Sequence, residues 1–275
     1  MEFLAEPLAQ GFMRRALLAG ATVGGACALL GVFIVQRGLS FLSDGLAHAT
    51  FGGIALGLLL GVGPDHAIWV ALPFTVAVAL GIGLVRRRSG LGADVATGVF
   101  FAVAFALGIL FLGLRSSQAA PVNLEGLLFG SILAISPDVL LPLLAVVGAL
   151  VVVLGLAWSR LAYATFDAEL ATLSGVPVAA FESLLLALTA VLVVAGVKTV
   201  GVVLVASFVV IPAATAHQLG RSLAGTAVFS AAIGVAGSLI GLLTSYHLNV
   251  ASGATVILTL GAGFFVALLF RRRSR

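Results

Sequence analysis

The stretch Ser40–Gly61, SFLSDGLAHATFGGIALGLLLG, is apolar from end to end except for a few polar residues near its start, where Asp44 and His48 are its ionisable side chains. A hydrocarbon core of about 30 Å takes roughly 20 apolar residues of helix to cross, so this stretch is long enough to span a membrane. Working outward, comparable runs occupy residues 15–36, 66–85, 93–114, 138–158, 179–198, 200–218, 224–245 and 251–270, while the span around Asp44 covers 41–62. They are continuously apolar instead of alternating and too long for strands, which excludes a transmembrane β-barrel. The fold expected is all-α: a polytopic transmembrane helical bundle of eight or nine spans. The apolar centre at 124–135 is too short to cross and reads as a short re-entrant or interfacial helix on the outer side.

Composition agrees with this reading. Of the 275 residues, 61% are hydrophobic and 9% charged, against about 25% charged in a soluble domain, whose surface must face water. A soluble enzyme, a secreted disulfide scaffold and a disordered chain are all excluded. Cys27 is the only cysteine and lies in an apolar run, so no intrachain disulfide or thiolate cage can form. The single domain expected runs over 1–275, with no apparent linker or cleaved leader.

The net charge of +4 does not indicate nucleic acid, because the basic residues lie mostly at the ends of apolar runs. Excess Lys and Arg marks cytoplasmic loops, so Arg86, Arg87 and Arg88, and the C-terminal Arg271 to Arg275, are expected inside. Nine spans then place the N-terminus outside, against Arg14 and Arg15. The loops at 37–40, 86–92, 159–178 and 219–223 face inward. The lipid bilayer is thus a partner by composition alone.

Ionisable residues within spans are costly, and each is a site candidate. Asp44 and His48 are four apart and share one helix face, with Ser43 before them as a possible cap and Gly52 and Gly53 a turn further on, leaving room. A carboxylate and an imidazole so placed can bind one divalent cation. The same spacing also fits a hydrogen-bonded pair that braces helices. His217 is a further candidate metal ligand. It ends a segment in which Pro212 is expected to interrupt or kink the helix, since proline removes a backbone donor, but its place beside Arg221 equally fits a surface histidine. His66 and His247 read as outer-loop residues, and Glu182 and Lys198 as span-end side chains snorkelling to the interface.

The inner loop 159–178, SRLAYATFDAELATLSGVPV, reads as a short helix. Thr165 can cap it, Asp167 and Glu169 suit its first turn, and Gly175 followed by Pro177 ends it. Phe166, Leu170 and Leu173 then share an apolar face, expected to dock on a partner protein. The acidic pair disfavours anionic lipid. The chain has no G-x-x-x-x-G-K-[ST] phosphate loop, no H-E-x-x-H and no G-x-S-x-G, so it is not expected to be an enzyme.

The segments Ser40–Gly61, Leu124–Ser136 (LEGLLFGSILAIS), Thr165–Val176 (TFDAELATLSGV), Val197–Ala216 (VKTVGVVLVASFVVIPAATA) and Asn249–Leu258 (NVASGATVIL), in this order, resemble the membrane permease of bacterial zinc, manganese and iron ABC importers. The resemblance covers almost the whole chain, and its specific parts are Asp-x-x-x-His and Ile-Pro-Ala-Ala-Thr-Ala. It implies a permease in the bacterial cell (inner) membrane that pairs with a second copy of itself, two cytoplasmic ATP-binding subunits and an external metal-binding solute-binding protein. Zn, Mn or Fe would be cargo and no cofactor would be held permanently. The family's fold is similar to that of vitamin B12 and siderophore permeases, an alternative that would need a wide pathway without a carboxylate–imidazole pair. A non-ABC cation carrier is the other alternative. The implied metal-pathway residues are Asp44 and His48, and the implied ATPase-coupling helix is the loop holding Asp167, Glu169 and Gly175. One Asp and one His suit all three metals.

Overall fold

A computed structural model of the chain describes residues 2–64, 66–115, 132–220 and 222–270, with side chains from Glu6 to Leu269. It contains eleven α-helices and one short 3-10 turn among the described residues: α1 (Glu2–Ala9), α2 (Gly11–Gln36), α3 (Leu42–Leu59), α4 (Ile68–Ser89), α5 (Ala93–Gly113), the turn Ile132–Ala134, α6 (Pro137–Phe166), α7 (Ala168–Leu173), α8 (Val178–Val200), α9 (Val202–Leu219), α10 (Leu223–Leu248) and α11 (Ser252–Phe270). Nine of these are long and apolar enough to cross a membrane, which matches the larger of the two expected span counts. The expected re-entrant segment lies outside the described residues except for its end, where Ile132 and Ile135 are buried against the core.

Buried side chains concentrate on α2, α3, α8 and α9, which form the middle of the bundle, while α5, α6 and α11 turn most of their surface outward. Close approach of α2 to the neighbouring α10 rests on missing side chains. A Cβ on Gly234 of α10 would stand 2.5 Å from the Gly24 carbonyl oxygen of α2, and one on Gly24 would stand 2.9 Å from the Gly234 oxygen. In a membrane, where lipid is as apolar as leucine, such backbone proximity is a main source of helix association.

Polar contacts sort the helix ends into two groups. At one end, Gln10 donates to the Tyr246 hydroxyl at 2.6 Å and Arg15 Nε donates to the Ile135 carbonyl at 2.8 Å. At the other end, Arg37 Nε donates to Thr165 Oγ1 at 2.9 Å, and Arg86 and Arg87 pair with Glu182. The N-terminal end of α2 therefore lies opposite the Arg86–Arg88 cluster, as nine spans require. The cluster marks the second end as inner. Arg15, the awkward charge of that topology, is held by a loop carbonyl.

Three local expectations are corrected. The helix is not interrupted at Pro212, which leaves the kink as the expectation there: α9 runs through it, and the interruption falls at Gly201, one residue between α8 and α9. Gly201 has φ 93° and ψ 161°, a conformation open only to glycine, so a single residue reverses the chain there. The inner loop is shorter than expected, because α6 continues to Phe166. Its 30 residues rise about 45 Å, beyond a 30 Å hydrocarbon core, so its inner end projects toward water. Finally, Glu182 does not snorkel. It is 6% exposed, facing Arg86 and Arg87.

Candidate metal station and coupling helix

Asp44 lies in the first turn of α3, where the exposed backbone N–H groups of the helix terminus favour a negative charge. Ser43 is not the cap. The capping position is Phe41, in helical backbone conformation, and the Ser43 hydroxyl turns back to the Ser40 carbonyl at 3.4 Å. One turn after Asp44, His48 places Nε2 at 3.8 Å from Asp44 Oδ1. The two side chains are 51% and 25% exposed, so the pair is reachable. A cavity of about 300 Å³ opens beside Asp44 between the start of α3 and the middle of α9, lined by Ser40, Phe41, Ser43, Ser207, Val210 and Ile211.

On its other side the histidine meets α5. The rings of Phe101 and Phe105 stand 4.9 Å and 5.6 Å from the imidazole, both edge to face. The space expected beside Gly52 and Gly53 is filled by backbone. A Cβ on Gly52 would lie 2.5 Å from the Ala104 oxygen of α5, and one on Gly53 would lie 2.6 Å from the Ala71 Cα of α4. The glycines thus clamp α3 between its neighbours and leave the Asp44 side open.

His217 is not brought to this pair. It is exposed in the last turn of α9, whereas the cavity beside Asp44 is lined by the part of α9 from Ala206 to Ile211. Among the described residues no three His, Cys, Asp or Glu side chains converge on a common point. Chemically, the pair offers a hard carboxylate and a borderline imidazole, so any cation must complete its shell from other sources.

A second cavity, of about 310 Å³, lies at the outer end among α4, α6 and α8, with His66, Asp138, Lys198 and Thr199 beside otherwise apolar walls.

At the inner end, α7 is capped by Asp167, whose Oδ1 accepts from the Leu170 N–H at 2.8 Å. Thr165, the expected cap, ends α6 instead: its hydroxyl donates to the Leu161 carbonyl and accepts from Arg37. Gly175, at φ 80°, closes α7 in the left-handed conformation, with its N–H on the Thr172 carbonyl and the Val176 N–H on the Ala171 carbonyl. Leu170 and Leu173 of α7 are 50% and 79% exposed, whereas Phe166, 65% exposed, is the last residue of α6; the non-helical backbone at Asp167 (φ −146°, ψ 89°) separates the two, so the single short helix expected to carry all three on one face is not formed. Burial pushes the Arg37 guanidinium below the ordinary arginine range, the charge of Glu182 working in the opposite direction.

Nine helices long and apolar enough to span a membrane among the described residues, with Asp44 at an interhelical cavity and His48 one turn away, make a polytopic membrane protein with an ionisable pair inside the bundle. The ABC 3 transport family matches residues 9–271, and the chain belongs to that family. It is 32% identical to the manganese transport system membrane protein MntC of Listeria innocua over 98% of this chain and 94% of the relative. It is 30% identical to a probable iron transport system membrane protein of Haemophilus influenzae, over 98% and 94%. The solved structure of PsaBC from Streptococcus pneumoniae in complex with Fab superposes with a TM-score of 0.83 at 30% identity, covering 97% of this chain and 94% of that one. A metal-chelate type ABC transporter in an inward-facing conformation shares the fold, with a TM-score of 0.76 at 18% identity over 94% and 86%. The chain is a multi-pass bacterial membrane protein, a membrane permease of the metal ABC-importer type.

Proposed function

We propose that the chain is the membrane-spanning subunit of an ATP-driven importer of a divalent transition metal, manganese or iron before zinc, and that Asp44 and His48 form a transient station on the metal's path. The observation carrying this reading is the pair itself: carboxylate and imidazole 3.8 Å apart, both partly exposed, with Asp44 lining a cavity between α3 and α9. A bracing pair would be enclosed by the helices it braces. The names of the relatives favour manganese or iron as cargo.

Two ligands are too few for a resident structural metal, which suits an ion that must leave again. The remaining coordination positions would be filled by water or by the equivalent pair of a second copy. Metal would arrive from an external solute-binding protein at the outer end. Work would come from ATP-binding subunits docked at the inner end on Phe166, Leu170 and Leu173, held in place by the Asp167 cap, with Glu169 beside it and Gly175 closing the turn. No cofactor needs to be held permanently.

The test is metal uptake by cells carrying Asp44→Ala or His48→Ala, with expression and assembly followed in parallel. Loss of uptake at normal assembly is the expected result. Wild-type uptake in both variants would refute the station, and loss of folding in both would favour a brace.

A further inference from the structure

A histidine that binds a metal ordinarily donates its other ring N–H to a carboxylate, carbonyl or water, which fixes the tautomer and aims the ring. His48 departs from this pattern. Its Nε2 faces Asp44, while its Nδ1 is buried and has no hydrogen-bond partner among the described residues. What surrounds the imidazole is aromatic. Phe101 and Phe105, one turn apart on α5, meet it at interplanar angles of 68° and 88°, the edge-to-face arrangement that the ring quadrupoles favour. The two phenyl rings stack on each other at 6.1 Å, and Phe105 is backed by Phe51 of α3 at 5.3 Å. The aromatic walls are therefore braced.

Their reach depends on how near α5 lies to α3. A Cβ on Gly45 would stand 2.6 Å from Thr97 Cγ2 and 3.8 Å from the Phe101 Cβ, and Gly52 admits the Ala104 carbonyl in the same way. Glycines one turn before and one turn after His48 thus let α5 press its two phenylalanines against the ring.

Resting on the reading of Asp44 and His48 as a metal station, we propose that Phe101 and Phe105 are positioning residues for the metal ligand: they aim the His48 imidazole by packing, in place of the usual hydrogen bond. Packing fixes the plane of the ring without raising the basicity of its nitrogen. Hydrogen-bonded outer partners are worth about 10- to 100-fold in metal affinity, so a station built this way holds its ion correspondingly less tightly, as a step in a transport path requires.

The experiment uses the full chain in lipid nanodiscs titrated with Mn²⁺, the ion read by electron paramagnetic resonance and its spin-echo modulation by imidazole nitrogen. Replacing one wall, Phe101→Leu or Phe105→Leu, is expected to weaken Mn²⁺ binding by about two- to twelvefold and reduce the nitrogen modulation, since each aromatic contact is worth about 0.5–1.5 kcal/mol. Phe101→Tyr and Phe105→Tyr, which keep the ring, should bind as wild type does and serve as variants that fold even where leucine does not. Unchanged affinity and modulation in the leucine variants, or tyrosine variants as weak as the leucine ones, would overturn the positioning role while leaving the station intact. Absence of nitrogen modulation in wild type, or its persistence in His48→Ala, would overturn the station itself.

Discussion

Arg86, at the end of α4, donates to the buried carboxylate of Glu182, near the start of α8, and Arg87 approaches the second oxygen of the same carboxylate at 3.5 Å. The pair joins two spans at the inner end of the bundle, close to where Arg37 ties α2 to Thr165 of α6. Truncating one member of a buried ion pair leaves its partner uncompensated, at a cost of about 3–5 kcal/mol. Glu182→Ala is therefore expected to lower the thermal midpoint of the detergent-solubilised protein sharply. Glu182→Gln, which keeps a hydrogen-bond acceptor, should fall between that variant and wild type. Equal stability of all three would show that the contact does not hold the helix ends together.

Gly201 gives an independent test of the fold. At φ 93° and ψ 161° it occupies backbone space that a Cβ forbids, and it alone separates α8 from α9. Gly201→Ala should destabilise the protein by about 1–3 kcal/mol, the usual cost of forcing a non-glycine residue into such a region. The measurement is unfolding monitored by circular dichroism. A neutral alanine would mean that the α8–α9 reversal can adopt another backbone path.

How far the sequence carries depends on the range of the interaction. Spans are legible because each must satisfy its own backbone and be apolar for about 20 residues, a local demand that does not depend on neighbours. Asp44 and His48 are legible for the same reason, as two costly side chains at helical spacing. Glu182 is not, because a carboxylate near a span end looks the same whether it faces water or two arginines on another helix. The length of α6 is hidden because hydropathy stops reporting where Arg160, Tyr163 and Thr165 continue the helix beyond the apolar run. Phe101 and Phe105 are unremarked phenylalanines in an apolar span until α5 is laid against α3. The cap at Asp167 was within reach: its spacing to Leu170 fits a capping turn as well as that of Thr165 fits a residue two positions earlier.

The α7 face offers a test at the inner end. Leu170 is half-exposed on a turn whose backbone is already satisfied by Asp167 and Gly175, so its substitution should not disturb the fold. Leu170→Asp should uncouple transport from ATP hydrolysis by placing an unpaired charge in an apolar interface. Stability of the isolated chain should stay within about 0.5 kcal/mol of wild type, as for surface substitutions generally. Continued transport with the ATP-binding subunits still co-purifying would show that docking lies elsewhere.

The last prediction concerns the source of energy. Proton-coupled carriers commonly relay protons along carboxylates inside the membrane. Of the acidic residues described in or beside the spans, Glu182 is committed to two arginines, Asp94 and Asp138 lie in the first turns of α5 and α6, and Asp44 alone borders the cavity between α3 and α9. With Asp44 serving as the cation's ligand, no chain of carboxylates among the described residues is left to relay protons. In proteoliposomes containing the permease with its ATP-binding subunits and external binding protein, uptake is expected to require ATP and to be indifferent to an imposed pH gradient. Accumulation that follows the gradient without ATP would make this chain a secondary carrier, and Asp44 its proton site.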